Sequence, residues 1–117
     1  MRISSIFNRI PGDRKLIKAV KAHDLEDVNK FLARGANANA SDPDGSSVLI
    51  LAAYGNNPDM VQALIGHGAD IHKKNKYGTS ARMYAKMGGY TAVVDIIDKA
   101  LAAQPQTNTL KPSKNTP

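Results

Sequence analysis

Cysteine is missing from the chain altogether. That excludes a disulfide framework and any zinc or iron–sulfur centre built on thiolates, and it accords with a reducing compartment. Tryptophan is absent too, and the aromatic side chains amount to two phenylalanines and four tyrosines. Hydrophobic residues still make up 42% of the sequence, so a core is available, but it has to be assembled from small and medium aliphatic side chains packed closely. No apolar run approaches the roughly 18–20 residues that a membrane-spanning helix requires. The opening MRISSIFNRIPG has arginines but no continuous apolar stretch, which argues against a cleaved secretory signal. The expectation is a soluble, cytoplasmic protein of about one domain, given 117 residues.

Catalytic signatures are missing as well. His23, His67 and His72 are the only histidines. His67 and His72 are five apart and flank a turn, so they do not share a helical face as an i, i+4 metal pair does. Neither a phosphate-binding loop nor a Gly-x-Ser-x-Gly elbow occurs, and the glycines fall at turns. Asn39-Ala40-Ser41 matches a glycosylation sequon, which without a signal peptide is incidental. No enzyme activity, metal or cofactor is expected. A formal net charge of +6 favours acidic partners, though an excess of this size is also an ordinary solubility feature.

What the chain does have is a period. A shift of 33 places superposes Gly35-Ala36-Asn37 on Gly68-Ala69-Asp70 and Gly45 on Gly78. The same shift aligns Ala19 with Ala52 and Ala85, Val28 with Val61 and Val94, and Phe31 with Leu64 and Ile97. So many coincidences at one spacing define an array. Within each unit, Asp13, Ser47 and Ser80 stand where a short helix begins, with side chains suited to capping free N–H groups. Apolar residues at helical spacing follow (Leu49, Ala52, Ala53). Polar turns come next, at 23–27, 56–59 and 88–91, and Pro58 suits a first helical turn. Second helices carry Val28, Phe31 and Leu32, then Val61, Leu64 and Ile65, then Val93, Val94, Ile97 and Leu101. Gly35 and Gly68 fall where a left-handed residue closes a helix. Residues 37–45 and 70–78 are short, polar and turn-rich, and are expected to protrude as hairpin loops.

A 33-residue unit of helix, turn, helix and hairpin resembles the ankyrin repeat. The resemblance is carried by DGSSVLILAA (44–53) and HGADIH (67–72), by YGTSARMYAKMGGYTAVVDII (77–97) and by LIKAVKAHDLEDVNKFLARGANAN (16–39). There are departures. Val48 and Ile50 replace the proline and histidine of the family's Thr-Pro-Leu-His signature, Asn56 its turn glycine, and Arg82 a usual leucine. The implied fold is an all-α helix–turn–helix repeat solenoid with short hairpin loops. Repeats are expected at about 13–41, 42–74 and 75–104, the end units being modified as caps. Lys15, Lys18 and Lys21 make the first helix polar on its open side, and Arg82 and Lys86 do the same at the other end. Residues 105–117 read as a disordered tail. In residues 1–12, Ile3, Ile6, Phe7 and Ile10 share one helical face. That face suits either a membrane-surface or partner-docking helix or a cover for the edge of the first repeat, and the need to cover a solenoid end favours the second.

The resemblance also implies a function: a non-catalytic module that grips a protein partner with hairpin tips and the inner-helix surface. Carried over by position, the tips are Ser41, Pro43, Asp44 and Ser46, then Lys74, Lys76, Tyr77 and Thr79. The inner-helix ends contribute Lys21, Tyr54 and Met87. From Ile71 to Val94 the chain has five basic residues and no acidic one. An acidic protein partner gripped by a monomer is therefore expected. Binding to nucleic acid or an anionic membrane is the weaker alternative, because acidic residues are spread through the first two repeats. A microbial immunity or effector-type inhibitor is a further one that the residues do not separate from the first.

Overall fold

In the computed structural model, residues 13–103 are described. The expected amphipathic segment 1–12 and tail 105–117 lie outside the described residues. Six helices follow one another: α1 (13–21), α2 (Leu25–Ala33), α3 (Val48–Tyr54), α4 (Pro58–Gly66), α5 (Ala81–Gly88) and α6 (Thr91–Ala103). They form three antiparallel pairs. The first helix of each pair makes an inner row, in which α3 packs on α5, and the second an outer row, in which α4 packs on both α2 and α6. Among the described residues there is no strand. Single antiparallel bridges, Ser41 with Ser47 and Lys74 with Ser80, close the two hairpins.

The helices start where short polar side chains satisfy their first free N–H groups. Ser47 Oγ accepts from Ile50 N–H and Ser80 Oγ from Met83 N–H. Asp24 accepts from Asp27 N–H, and Asn57 from Met60 N–H. Two boundaries differ from the sequence reading. Asp24 caps α2 early enough that Leu25, Glu26 and Asp27 are already helical rather than part of a turn over 23–27. Asp13 lies within the helical stretch, and its carboxylate accepts instead from the distant Asn37 N–H at 3.0 Å.

The period is written into the backbone as well as the side chains. Gly35 and Gly68 have φ of +93° and +91°, and Gly45 and Gly78 of +78° and +77°. The tight turn inside each pair is left-handed at His23, Asn56 and Gly89, each 33 residues after the last, with φ of 59°, 53° and 71°. One geometry is therefore met by three residue types. Gly adopts it at no cost, and Asn and His are among the side chains that tolerate it best.

The core fills the space between the rows with Leu16, Val20, Val28, Val48, Leu49, Ile50, Met60, Val61, Leu64, Val93 and Ile97, all buried. Ala19, Ala52 and Ala85 are buried at equivalent positions, where small side chains let neighbouring helices approach. Repeats are also tied through polar groups. Asn39 accepts from Asp70 N–H at 2.6 Å and donates to the Gly68 carbonyl at 3.3 Å, stitching one loop to the next.

Candidate functional site

The surface that the inner row presents is itself periodic. Lys21, Tyr54 and Met87 lie 33 residues apart in the last turns of α1, α3 and α5, and all three are exposed, Tyr54 at 65% and Met87 at 72%. Tyr54 leans edge-on against Tyr84, with ring centroids 5.2 Å apart at 77°, an arrangement that aromatic quadrupoles favour. Tyr84 in turn accepts a hydrogen bond from Asn75 Nδ2 at 3.2 Å. The exposed Tyr54 ring and Met87 thioether are thus held on helices rather than on loops.

Each hairpin is built around one short polar side chain. Asp42 Oδ1 accepts from the N–H groups of Asp44 and Ser46, both at 3.0 Å. In the next hairpin Asn75 Oδ1 does the same for Tyr77 and Thr79. The remaining atoms of the two side chains are used differently. Asp42 Oδ2 holds Lys21 Nζ at 3.6 Å, while Asn75 Nδ2 donates to Ser46 Oγ at 3.3 Å and to Tyr84. Asn75 is buried and joins both hairpins to the inner helix α5, a role the sequence reading missed. Its signal was present: DPDG (42–45) and NKYG (75–78) each place Asp or Asn three residues before the left-handed glycine, the pattern of an Asx turn.

Most expected contact residues reach the surface, with one correction and one change of role. Ser46 is only 8% exposed and engages Asn75, so it supports the hairpin from inside instead of standing at its tip. Lys76 Nζ lies 3.2 Å from Asp44 and 5.3 Å from the centre of the Tyr77 ring, so its charge is partly committed before any partner arrives. Tyr77 is exposed at 67%, and Lys74 is exposed outside every ion pair among the described residues. Thr79 is half-buried in the Asn75 network. Ser41 is half-buried as well, with its Oγ enclosed and without a hydrogen-bond partner. Lys15 and Lys18 do line the open side of the first repeat, in a groove floored by Ala19, Ala22 and Phe31. Lys21 does not, because it turns toward Asp42.

Among the described residues no three histidine, aspartate or glutamate side chains gather as a metal site. No described helix is long and apolar enough to cross a membrane. Among the described residues, Arg82 and Asp98 have pKa values moved from their ordinary ones. Their mutual hydrogen bond raises the guanidinium and holds the carboxyl below its ordinary range.

The family model for ankyrin repeats in three copies matches residues 16–109, and the chain belongs to the ankyrin repeat family. Domains of this family are generally non-catalytic and mediate protein–protein interaction. The chain is similar to the 2-5A-dependent ribonuclease of Mus musculus, 39% identical over 72 residues, which span 61% of this chain and 10% of the ribonuclease. It is similar to the mouse protein phosphatase 1 regulatory subunit 27, 31% identical over 83 residues, or 70% of this chain and 54% of that subunit. A putative ankyrin repeat protein of Rickettsia felis is 32% identical over 95 residues, covering 80% of this chain and 25% of its own length. The matches thus cover only part of each relative, and the ribonuclease and phosphatase names describe those proteins as wholes.

Proposed function

We propose that this chain is a non-catalytic, monomeric, cytoplasmic module that grips one protein partner with its inner-helix surface and hairpin tips, the partner being acidic where it touches. The observation that supports this best is the placement of Tyr54 and Met87, large apolar side chains left 65% and 72% exposed at equivalent positions of neighbouring inner helices. Aromatic and thioether groups of this sort act as anchors in protein interfaces. Lys74, Lys76 and Tyr77 lie on the neighbouring hairpin. The regulatory subunit among the relatives makes a role in directing another protein a natural extension of the same reading.

Capture of partners by the full chain from its native source, followed by cross-linking mass spectrometry, tests it. Cross-links should concentrate on Lys21, Lys74 and Lys76. With the partner in hand, Tyr54→Ala or Tyr77→Ala should accelerate dissociation, each by about 2 kcal/mol or some thirtyfold. Lys74→Glu should instead slow association, most at low salt. Cross-links confined to the outer helices, with all three variants binding like the parent, would sink the reading.

A further inference from the structure

Beside the anchors lies a feature that the reading above does not use. One face of α1, from Arg14 to Lys21, and the first hairpin border an open hollow of about 560 Å³, lined by Arg14, Ile17, Lys18, Lys21, Ser41, Asp42 and Pro43. Three cationic side chains here face one carboxylate. Asp42 is already held by Lys21 and by two backbone N–H groups. Arg14 and Lys18 take part in none of the ion pairs among the described residues. Ser41 and Pro43 complete the lining from the hairpin side.

A second hollow, of about 290 Å³, continues along the same surface between Val20, Leu51, Tyr54 and Gly55, edged by Lys21 and His23. Lys21 is common to both. The first hollow is cationic with apolar flanks, and the second is apolar with an aromatic wall.

We infer that the two hollows form one recognition site for an extended protein segment, an Asp or Glu carboxylate entering beside Arg14, Lys18 and Ser41 and a large apolar side chain seating against Leu51 and Tyr54. This rests on the inner-helix surface being the binding face and moves the acid-binding position from the third repeat to the first. Charge complementarity selects the occupant. Two cations outside every ion pair among the described residues, with a carboxylate at their side, match one or two partner carboxylates. A nucleic-acid backbone, with a phosphate at every step, would bring further phosphates against Asp42 and Asp44. Ile17 and Pro43 offer contact to the methylenes of an acidic side chain, and an extended strand advances about 3.3 Å per residue, so a few residues reach from one hollow to the next.

The test is a titration of the isotope-labelled full chain, followed through its amide signals, with a blocked pentapeptide of alternating glutamate and leucine and with its glutamine counterpart. The glutamate peptide should shift Ser41, Lys18 and Leu51, and the glutamine peptide should bind about fivefold or more weakly, as loss of solvated charge pairs implies. Arg14→Gln with Lys18→Gln should weaken the glutamate peptide to the same degree. Arg34→Gln with Lys99→Gln, an equal loss of charge at exposed positions away from the inner row, should not. Shifts centred on Lys74 and Tyr77 with Ser41 silent overturn the first-repeat site while leaving the wider reading intact. Equal binding of the two peptides overturns the carboxylate assignment, and no shift at millimolar peptide overturns the site. Contacts between residues 1–12 and Ser41 in the free chain would fill the hollow with the chain's own segment and overturn it as well.

Discussion

The middle and last repeats share one backbone plan and differ in what three equivalent positions carry. Leu49 is wholly buried and Ile65 half-buried; 33 residues on, Arg82 and Asp98 stand in their places. Ala53 is buried, and its counterpart Lys86 is exposed. In the middle repeat the helices that carry these positions have the next pair packed on them, α5 on α3 and α6 on α4. Among the described residues nothing further covers them in the last. There Arg82 Nε donates to Asp98 Oδ1 at 2.6 Å and its Nη2 reaches Oδ2 at 3.4 Å, so a face that would be apolar is closed by a two-pronged ion pair. The same helical register therefore serves as core or as surface according to its neighbour, which is the nearest-neighbour character of repeat proteins at the level of single side chains.

The sharpest way to break this comparison is to cut into both faces alike. Leu49→Ala or Leu64→Ala, each removing a fully buried side chain, should cost about 2–5 kcal/mol in urea-induced unfolding. Arg82→Ala at the position equivalent to Leu49 should shift the midpoint far less. Comparable losses for Leu49→Ala and Arg82→Ala would show that the two faces are not as different as their residues suggest. A second probe is the joint between these repeats. Asn75→Ala strips partners from the N–H groups of Tyr77 and Thr79 and should cost about 1–3 kcal/mol. Asn75→Asp keeps both acceptors, and Ser46 and Tyr84 can donate to it, so it should retain most of that stability. Identical melting of the two variants would dismiss the hydrogen-bond account.

The smallest effect is expected at the ion pair. Because Asp98 titrates below its ordinary range in the folded protein, its contribution is present at neutral pH and fades as acid protonates it, below about pH 4. The difference in Tm between the parent and Asp98→Asn should therefore be greatest near neutrality, shrink as acid protonates the carboxylate, and narrow with added salt. A difference that is constant across pH would mean that Asp98 acts through packing and not through charge.

Much of this architecture was legible in the sequence because a repeat exposes its own alignment. The 33-residue shift located the helix pairs, the serine caps and the left-handed glycines, each set by local chemistry. The resemblance to the ankyrin repeat, carried over by position, named Lys21, Tyr54 and Met87 together. Equivalence does not disclose pairing. That Lys76 would reach back to Asp44, that Lys21 would face Asp42, and that Ser46 would turn inward depend on how two loops lie beside each other, and no periodic pattern records this. The burial of Asn75 belongs to the same class, although its Asx-turn spacing could have marked it.

The edge-on contact of Tyr54 and Tyr84 makes the molecule its own optical reporter. Tyrosine emission is usually drowned by tryptophan, and this chain has none. Of its four tyrosines, Tyr54 stands on the inner-helix surface against Tyr84, and Tyr77 tops the adjoining hairpin. A ligand that covers these rings alters their solvent contact and the hydrogen bond at Tyr84. Occupancy can then be followed in unlabelled protein by ultraviolet fluorescence, and a tryptophan-free partner peptide leaves the signal unobscured.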